Sequence, residues 1–242
     1  MYMGLSRTRL KPLVAASVLA LAGASAQASL VLVAPEDFGG TGLGSANTIL
    51  TISSPANTSF ESGSVAFGDV TSGNVMEGAS QTQTRTLGEL GVTSASSLRV
   101  VLNALEPGNA NNGITLSDLV LNIWSPTGTL LFTSGAFAPI DFADTETGAG
   151  NSGFVFGLDA AQQAAASAAF GASFEGNVVG LSATAGCDTG APATCLGATG
   201  GFETFFVANS TVAAIPEPET YALMLAGLAV VGWMAKRRPA AA

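Results

Sequence analysis

Cys187 and Cys195 are the chain's only cysteines, and they enclose seven residues, Asp-Thr-Gly-Ala-Pro-Ala-Thr. The enclosed stretch is rich in turn formers, so the two thiols stand at the feet of one short loop. In an oxidising compartment this pair is expected to form a local disulfide. Closing about nine residues contributes about 2–3 kcal/mol on the chain-entropy account. Redox catalysis fits poorly, because the spacing is not Cys-x-x-Cys and no basic residue is near in sequence to lower a thiol pKa. Zinc would need two further ligands, and the chain has no His.

Oxygen chemistry has more candidates. Asp141, Asp144, Glu146 and Asn151 cluster in a Gly-rich stretch. Oxygen ligands on a loop suit Ca²⁺, although the spacing is not that of an EF-hand. A solvated acidic loop is the other reading. Trp124 is the only Trp ahead of the C-terminal apolar run. It ends a strand before a turn, so its ring either offers a face to a sugar or packs at the rim of the core. Between residues 29 and 215 there is neither His nor Lys. That removes His-based triads, Schiff-base chemistry and His-ligated zinc hydrolysis. A carboxylate pair is still able to cleave glycosides, but sequence does not show which acids face one another. The expectation is a protein that is not an enzyme and has no cofactor, with Ca²⁺ the one candidate ion.

Charge narrows the partners. Residues 29–215 contain fifteen acidic side chains against two basic ones, Arg85 and Arg99, a net −13. Such a surface repels phosphate backbones and anionic lipid, so nucleic acid is not a partner. Thirteen Phe and many Val, Leu and Ile give too much apolar mass for a solvated tail. About 187 residues are enough for one domain with a substantial core.

The elements that must hold these residues are mostly strands. Period-2 patterns and β-branched residues predict strands over 30–33, 48–53, 64–67, 81–87, 97–102, 116–124, 129–133, 153–158, 177–183 and 203–208. Ser125-Pro-Thr-Gly128 turns between two of them and predicts a hairpin. One helix interrupts: Asp159 caps it, Gln162 completes an Asp-x-x-Gln box, and Gly171 stops the run from Ala160 to Phe170. Short strands between Gly, Ser and Asn loops predict a mainly β fold, a β-sandwich of jelly-roll-like type.

Both ends differ from this middle. Arg7, Arg9 and Lys11 precede an apolar run from Leu13 to Gly23, followed by the small residues Ala24-Ser-Ala-Gln-Ala28. This layout is that of a cleaved signal peptide over residues 1–28, read by the Sec translocon and signal peptidase. The run is too short to span a bilayer. At the other end, Pro216-Glu217-Pro218 leads into the apolar run Tyr221 to Ala235, and Lys236-Arg237-Arg238 closes it. Two prolines hold the motif extended, and Glu217 and Glu219 keep it in water. The fifteen-residue run makes a helix about 22 Å long, somewhat short for the hydrocarbon core. The basic cluster stays cytoplasmic and leaves the preceding domain outside.

This three-part tail resembles the PEP-CTERM sorting signal of Gram-negative bacteria, with Ile215 standing where the family often has Val. The resemblance covers about the last 27 residues. It implies an exosortase as partner, cutting at or near Pro216-Glu217-Pro218, and transfer of the ectodomain from the inner membrane to the cell surface or medium. Such signals commonly occur in bacteria that make exopolysaccharide. The organisation expected is thus a signal peptide (1–28), a secreted ectodomain (29–214) and a sorting signal with one transmembrane helix (215–242). Three ectodomain roles stand open: a structural or adhesive component of exopolysaccharide or biofilm, a tethered carbohydrate-binding module, or a secreted glycoside hydrolase.

Export should remove the first 28 residues. N-terminal sequencing of the exported protein should begin at Ser29, or at Gln27 if the Ala24-Ser25-Ala26 site is used. A mature chain retaining Arg7 would refute the assignment.

Overall fold

Alternating apolar residues put one face of each long strand inward, and the backbone must then satisfy its hydrogen bonds sideways. The computed structural model describes residues 29–36, 38, 47–55, 58–78, 80–104, 113–142, 153–199 and 201–210. Its strands are β1 (Leu30–Leu32), β2 (Asn47–Ile52), β3 (Phe60–Ala66), β4 (Val70–Gly73), β5 (Arg85–Thr86) and β6 (Leu98–Asn103). They continue with β7 (Ile114–Trp124), β8 (Leu130–Thr133), β9 (Ile140–Phe142), β10 (Phe154–Leu158), β11 (Val178–Gly186) and β12 (Glu203–Asn209). One short α-helix, α1 (Ala160–Ala166), lies between β10 and β11.

The strands form two antiparallel sheets. The five-stranded sheet has the order β1-β10-β6-β12-β2. The seven-stranded sheet has the order β4-β3-β11-β7-β8, with β5 against β11 and β9 against β7. The pairing is nested: β2 with β12, β3 with β11, β6 with β10, and β7 with β8. The pairs β12 with β6 and β11 with β7 complete the sheets. Side chains of both meet in one apolar cluster, Leu50, Ile52, Val100, Leu102, Phe156 and Phe205 from the first sheet with Val65, Leu119, Leu121, Ile123, Val179 and Leu181 from the second. The fold is therefore mainly β, as the alternation predicts.

The α-helix is also where its cap places it. Asp159 Oδ1 accepts the Gln162 backbone N–H at 2.8 Å. The helix is shorter than expected, because residues Ser167–Phe170 continue it as a 3-10 turn. Buried Ala166 and Ala169 join the core from this segment. Asn177 Nδ2 donates to the Ala169 carbonyl at 2.7 Å and fastens the segment to the start of β11.

Strand β3 departs most from expectation, beginning four residues before the predicted strand. Its inward positions are Glu61, Gly63 and Val65, so the apolar alternation is missing from the sequence. Gly63 is empty because Ile52 and Val75 fill its place: a Cβ there would lie 2.6 Å from Ile52 Cγ2. Glu61 is fully buried, and Ser54 Oγ donates to its Oε2 at 3.4 Å. Among the described residues no helix is long and apolar enough to cross a membrane. The run Tyr221 to Ala235 lies outside the described residues.

A buried ion pair ties the two ends of the domain. Arg99 Nε donates to Glu36 Oε1 at 2.6 Å, and both side chains are nearly out of solvent. Arg99 Nη1 also donates to the Ser96 and Leu98 carbonyls. The other Glu36 oxygen accepts from Ser210 Oγ at 2.6 Å, and the Ser210 N–H donates to the Ser97 carbonyl. Segment 33–36 thus passes from β1 over β10 to β6 and clasps the residue just beyond β12.

Glu36→Ala leaves a buried guanidinium without its partner. It should lower the unfolding free energy by about 3 kcal/mol in urea titration, whereas Glu36→Leu with Arg99→Met should recover most of that loss. Equal stability of Glu36→Ala and wild type would show that the clasp carries no load.

Candidate functional site

The outer face of the seven-stranded sheet is built from the residues that alternate with the core. Strand register sets them in rows. Leu130, Trp124 and Val178 form one row, and Thr133, Asn122 and Gly180 the next. Val120, Ser182, Ser64 and Ser72 follow, then Asp118, Thr184 and Ser62. The face is apolar at one end, where Leu130 and Val178 flank the indole, and beyond it carries hydroxyl and amide side chains with Val120 and one carboxylate, Asp118.

Trp124 is half-buried and stands outside the core cluster. A Cβ at Gly180 would lie 2.9 Å from its Cζ3, so the indole leans over the bare backbone of β11. The ring thus lies on the outer face of the seven-stranded sheet, over β11. Phe67, beyond β3, packs over Gly128 in the adjoining hairpin turn at the same end. Gly128 has φ +87, the left-handed conformation the turn requires.

At the opposite end the face runs into a cleft of about 440 Å³ under the disulfide loop. Phe60 and Gly186 pair there across β3 and β11. A register shift between Thr184 and Ala185 brings Ser117 Oγ to the Gly186 carbonyl at 3.3 Å. Asp141, Asp188, Thr115, Thr189 and Thr194 supply oxygens to the wall, and Pro139 and Pro192 apolar surface. A second hollow of about 350 Å³ adjoins it and shares Phe60, Asp188 and Thr189.

The disulfide Cys187–Cys195 closes the loop as the spacing predicts. The loop is pinned on both flanks of β11. The Cys187 and Ala198 N–H groups both donate to the Ser59 carbonyl. Leu196 and Thr115 exchange bonds: the Leu196 N–H donates to Thr115 Oγ1 at 2.8 Å, and the Thr115 N–H to the Leu196 carbonyl. Thr115 Oγ1 in turn donates to Asp141 Oδ1 at 2.6 Å. Asp188 Oδ1 accepts from the Thr189 N–H inside the loop.

The calcium candidate is not assembled by what is described. Asp141 is held by Thr115, while Asp144, Glu146 and Asn151 lie outside the described residues. Among the described residues no three His, Cys, Asp or Glu side chains group as metal ligands. Phe60, Asp118 and Asp188 were not singled out by sequence reasoning. Asp188 carried a signal, since it lies inside the cysteine loop; Phe60 and Asp118 reach this face only through strand register.

Residues 214–238 match the PEP-CTERM protein-sorting motif. The match contains Pro216, Glu217, Pro218, Lys236, Arg237 and Arg238, all outside the described residues. The rest of the chain matches no family. No curated protein and no solved structure matches the chain.

Burial raises the Asp118 carboxyl above the ordinary range, against a smaller lowering from the Leu119 N–H. A carboxyl raised in the folded state keeps its proton longer there than in the unfolded chain. Its contribution is therefore most favourable at low pH and is lost as pH rises from about 3.9, the unfolded value, through the raised folded value. Asp118→Asn should have the higher urea midpoint at pH 7, with the gap closing as pH falls through the carboxylate range. A variant no more stable than wild type at pH 7 would show that this burial is not costly.

Proposed function

We propose that the chain is an exported protein whose C-terminal segment is recognised and removed by an exosortase, and whose ectodomain then serves at the cell surface or in the extracellular matrix. The observation that carries this reading is the PEP-CTERM motif at residues 214–238. The motif starts four positions after Ser210, which the clasp on Glu36 fastens to the folded domain. A cut near Pro216-Glu217-Pro218 thus spares every described element. Residues 1–28 act as the signal peptide that delivers the chain to the Sec translocon and signal peptidase. The run Tyr221 to Ala235 holds the precursor in the inner membrane, with Lys236-Arg237-Arg238 on the cytoplasmic side. The disulfide supports the oxidising side of that membrane as the destination of the domain.

In this reading the ectodomain is a jelly-roll sandwich and a structural or adhesive component of an exopolysaccharide matrix. The nested strand pairing, four antiparallel pairs distributed over two sheets, supports the jelly-roll assignment. Carbohydrate binding is the second reading, and Trp124 on the outer face favours it. Catalysis forms no part of the proposal. A glycosidase would need two carboxylates set for acid and nucleophile or base work. Asp141 and Asp188 share a cleft, where Asp141 accepts from Thr115 Oγ1 and Asp188 from the Thr189 N–H.

Mass spectrometry of the surface-released protein tests the sorting claim. Wild type should lack everything after the Pro-Glu-Pro segment. Replacing Pro216, Glu217 and Pro218 by Ala should trap uncut precursor in the inner membrane. An intact Tyr221 to Ala242 segment on the wild-type surface form would make the tail a plain anchor.

A further inference from the structure

The indole of Trp124 and the cleft under the disulfide loop lie at opposite ends of one sheet face. Trp124 lies seven residue steps along β7 from Ser117 at the cleft mouth, about 23 Å at about 3.3 Å per residue. Between them stand Asn122, Val120 and Asp118 of β7 with Ser182, Thr184 and Ser64 of the neighbouring strands, all with short side chains. We propose that this face is a binding track for a single glycan strand that carries no anionic groups. The inference rests on the carbohydrate-binding reading and adds its location and ligand class.

Three features point to that ligand. First, an indole leaning on the backbone at Gly180 is a flat apolar platform, and sugar rings present flat faces of C–H groups to such platforms. Phe60 repeats the aromatic element at the cleft end. Second, the polar lining is hydroxyl, amide and carboxylate. Asp118, Asp141 and Asp188 are acceptors for sugar hydroxyls or amines, and charge-assisted bonds of this kind are stronger than neutral ones. Third, no Lys occurs between residues 29 and 215, and the only two Arg stand against fifteen acidic residues. Arg99 is committed to Glu36 in the other sheet. Arg85 of β5 is the one cation of this sheet among the described residues, so the net field opposes a uronate or sulfated polymer and does not oppose an uncharged or amine-bearing glycan.

The disulfide loop gives the track a stiff end wall. Because Ser59 and Thr115 hold the loop to β3 and β7, Asp188 keeps its place without the ligand. Pre-set groups lose less freedom on binding, which favours affinity for a weakly held, repetitive polymer.

Calorimetric titration of the purified full-length chain in detergent tests this. The probes are oligosaccharides of glucose, mannose and N-acetylglucosamine, of glucosamine, and of guluronate. At least one uncharged or amine-bearing series should bind and guluronate should not. Trp124→Ala should weaken binding about three- to tenfold, with Trp124→Phe recovering part of it. Asp188→Asn should weaken it about tenfold. Urea midpoints of the variants near that of wild type would show that folding is kept. The track is overturned if none of the uncharged or amine-bearing series binds, if guluronate binds best, or if Trp124→Ala leaves binding unchanged. Loss of a dimer in Trp124→Ala, seen by light scattering in place of a change in glycan binding, would assign the face to a second copy of the chain. The uncut chain is used throughout, so failure here speaks against the track and leaves exosortase sorting to its own test.

Discussion

The last strand is the keystone of the domain. β12 lies between β2 and β6 and donates to and accepts from both. Without it the five-stranded sheet would split into β1-β10-β6 and an isolated β2. The two fully buried aromatics of the core, Phe156 and Phe205, come from β10 and from β12 itself. Loss of this strand would therefore open the ladder and remove part of the core in one step. The seven-stranded sheet depends on it indirectly, because its inner face needs the opposite sheet as cover.

This dependence also sets where function can reside. The inner faces are committed to packing, and α1 with the turns around it occupies one end of the sandwich. On the outer face of the seven-stranded sheet and at the loop end, side chains are free of core duty. The same alternation that buries Leu119, Leu121 and Ile123 aims Asp118, Val120, Asn122 and Trp124 outward. A core and a candidate surface are thus two readings of one strand.

Much of the architecture was legible where local pattern and tertiary role agree. β7, β6 and β12 alternate or run apolar because their burial demands it, and Asp159 announces its helix by the chemistry of a cap. Strand β3 was only partly legible because its inner positions are Glu61 and Gly63, whose suitability depends on Ser54, Ile52 and Val75 from other strands. The short edge strands β4 and β9 bury too little to impose a pattern. The disulfide could be read from two cysteines alone. The side on which Trp124 lies could not, since a strand's last residue takes its face from pairing. Phe60 and Asp188 share a cleft across 128 positions of chain, a closeness that only the β3–β11 register creates.

The clasp of Glu36 on Arg99 and Ser210 has a mechanical meaning while the chain is tethered through its C-terminal segment. Flow or contact at the surface would pull on Ser210, directly beyond β12. A strand at a sheet edge can be peeled away one hydrogen bond at a time. Here the pull runs along a strand flanked on both sides, so the bonds to β2 and β6 share the load in shear. The ion pair sits at the point where force enters and couples it to β6 and to the segment after β1. The domain is thereby built to be dragged by its tail without unravelling from it.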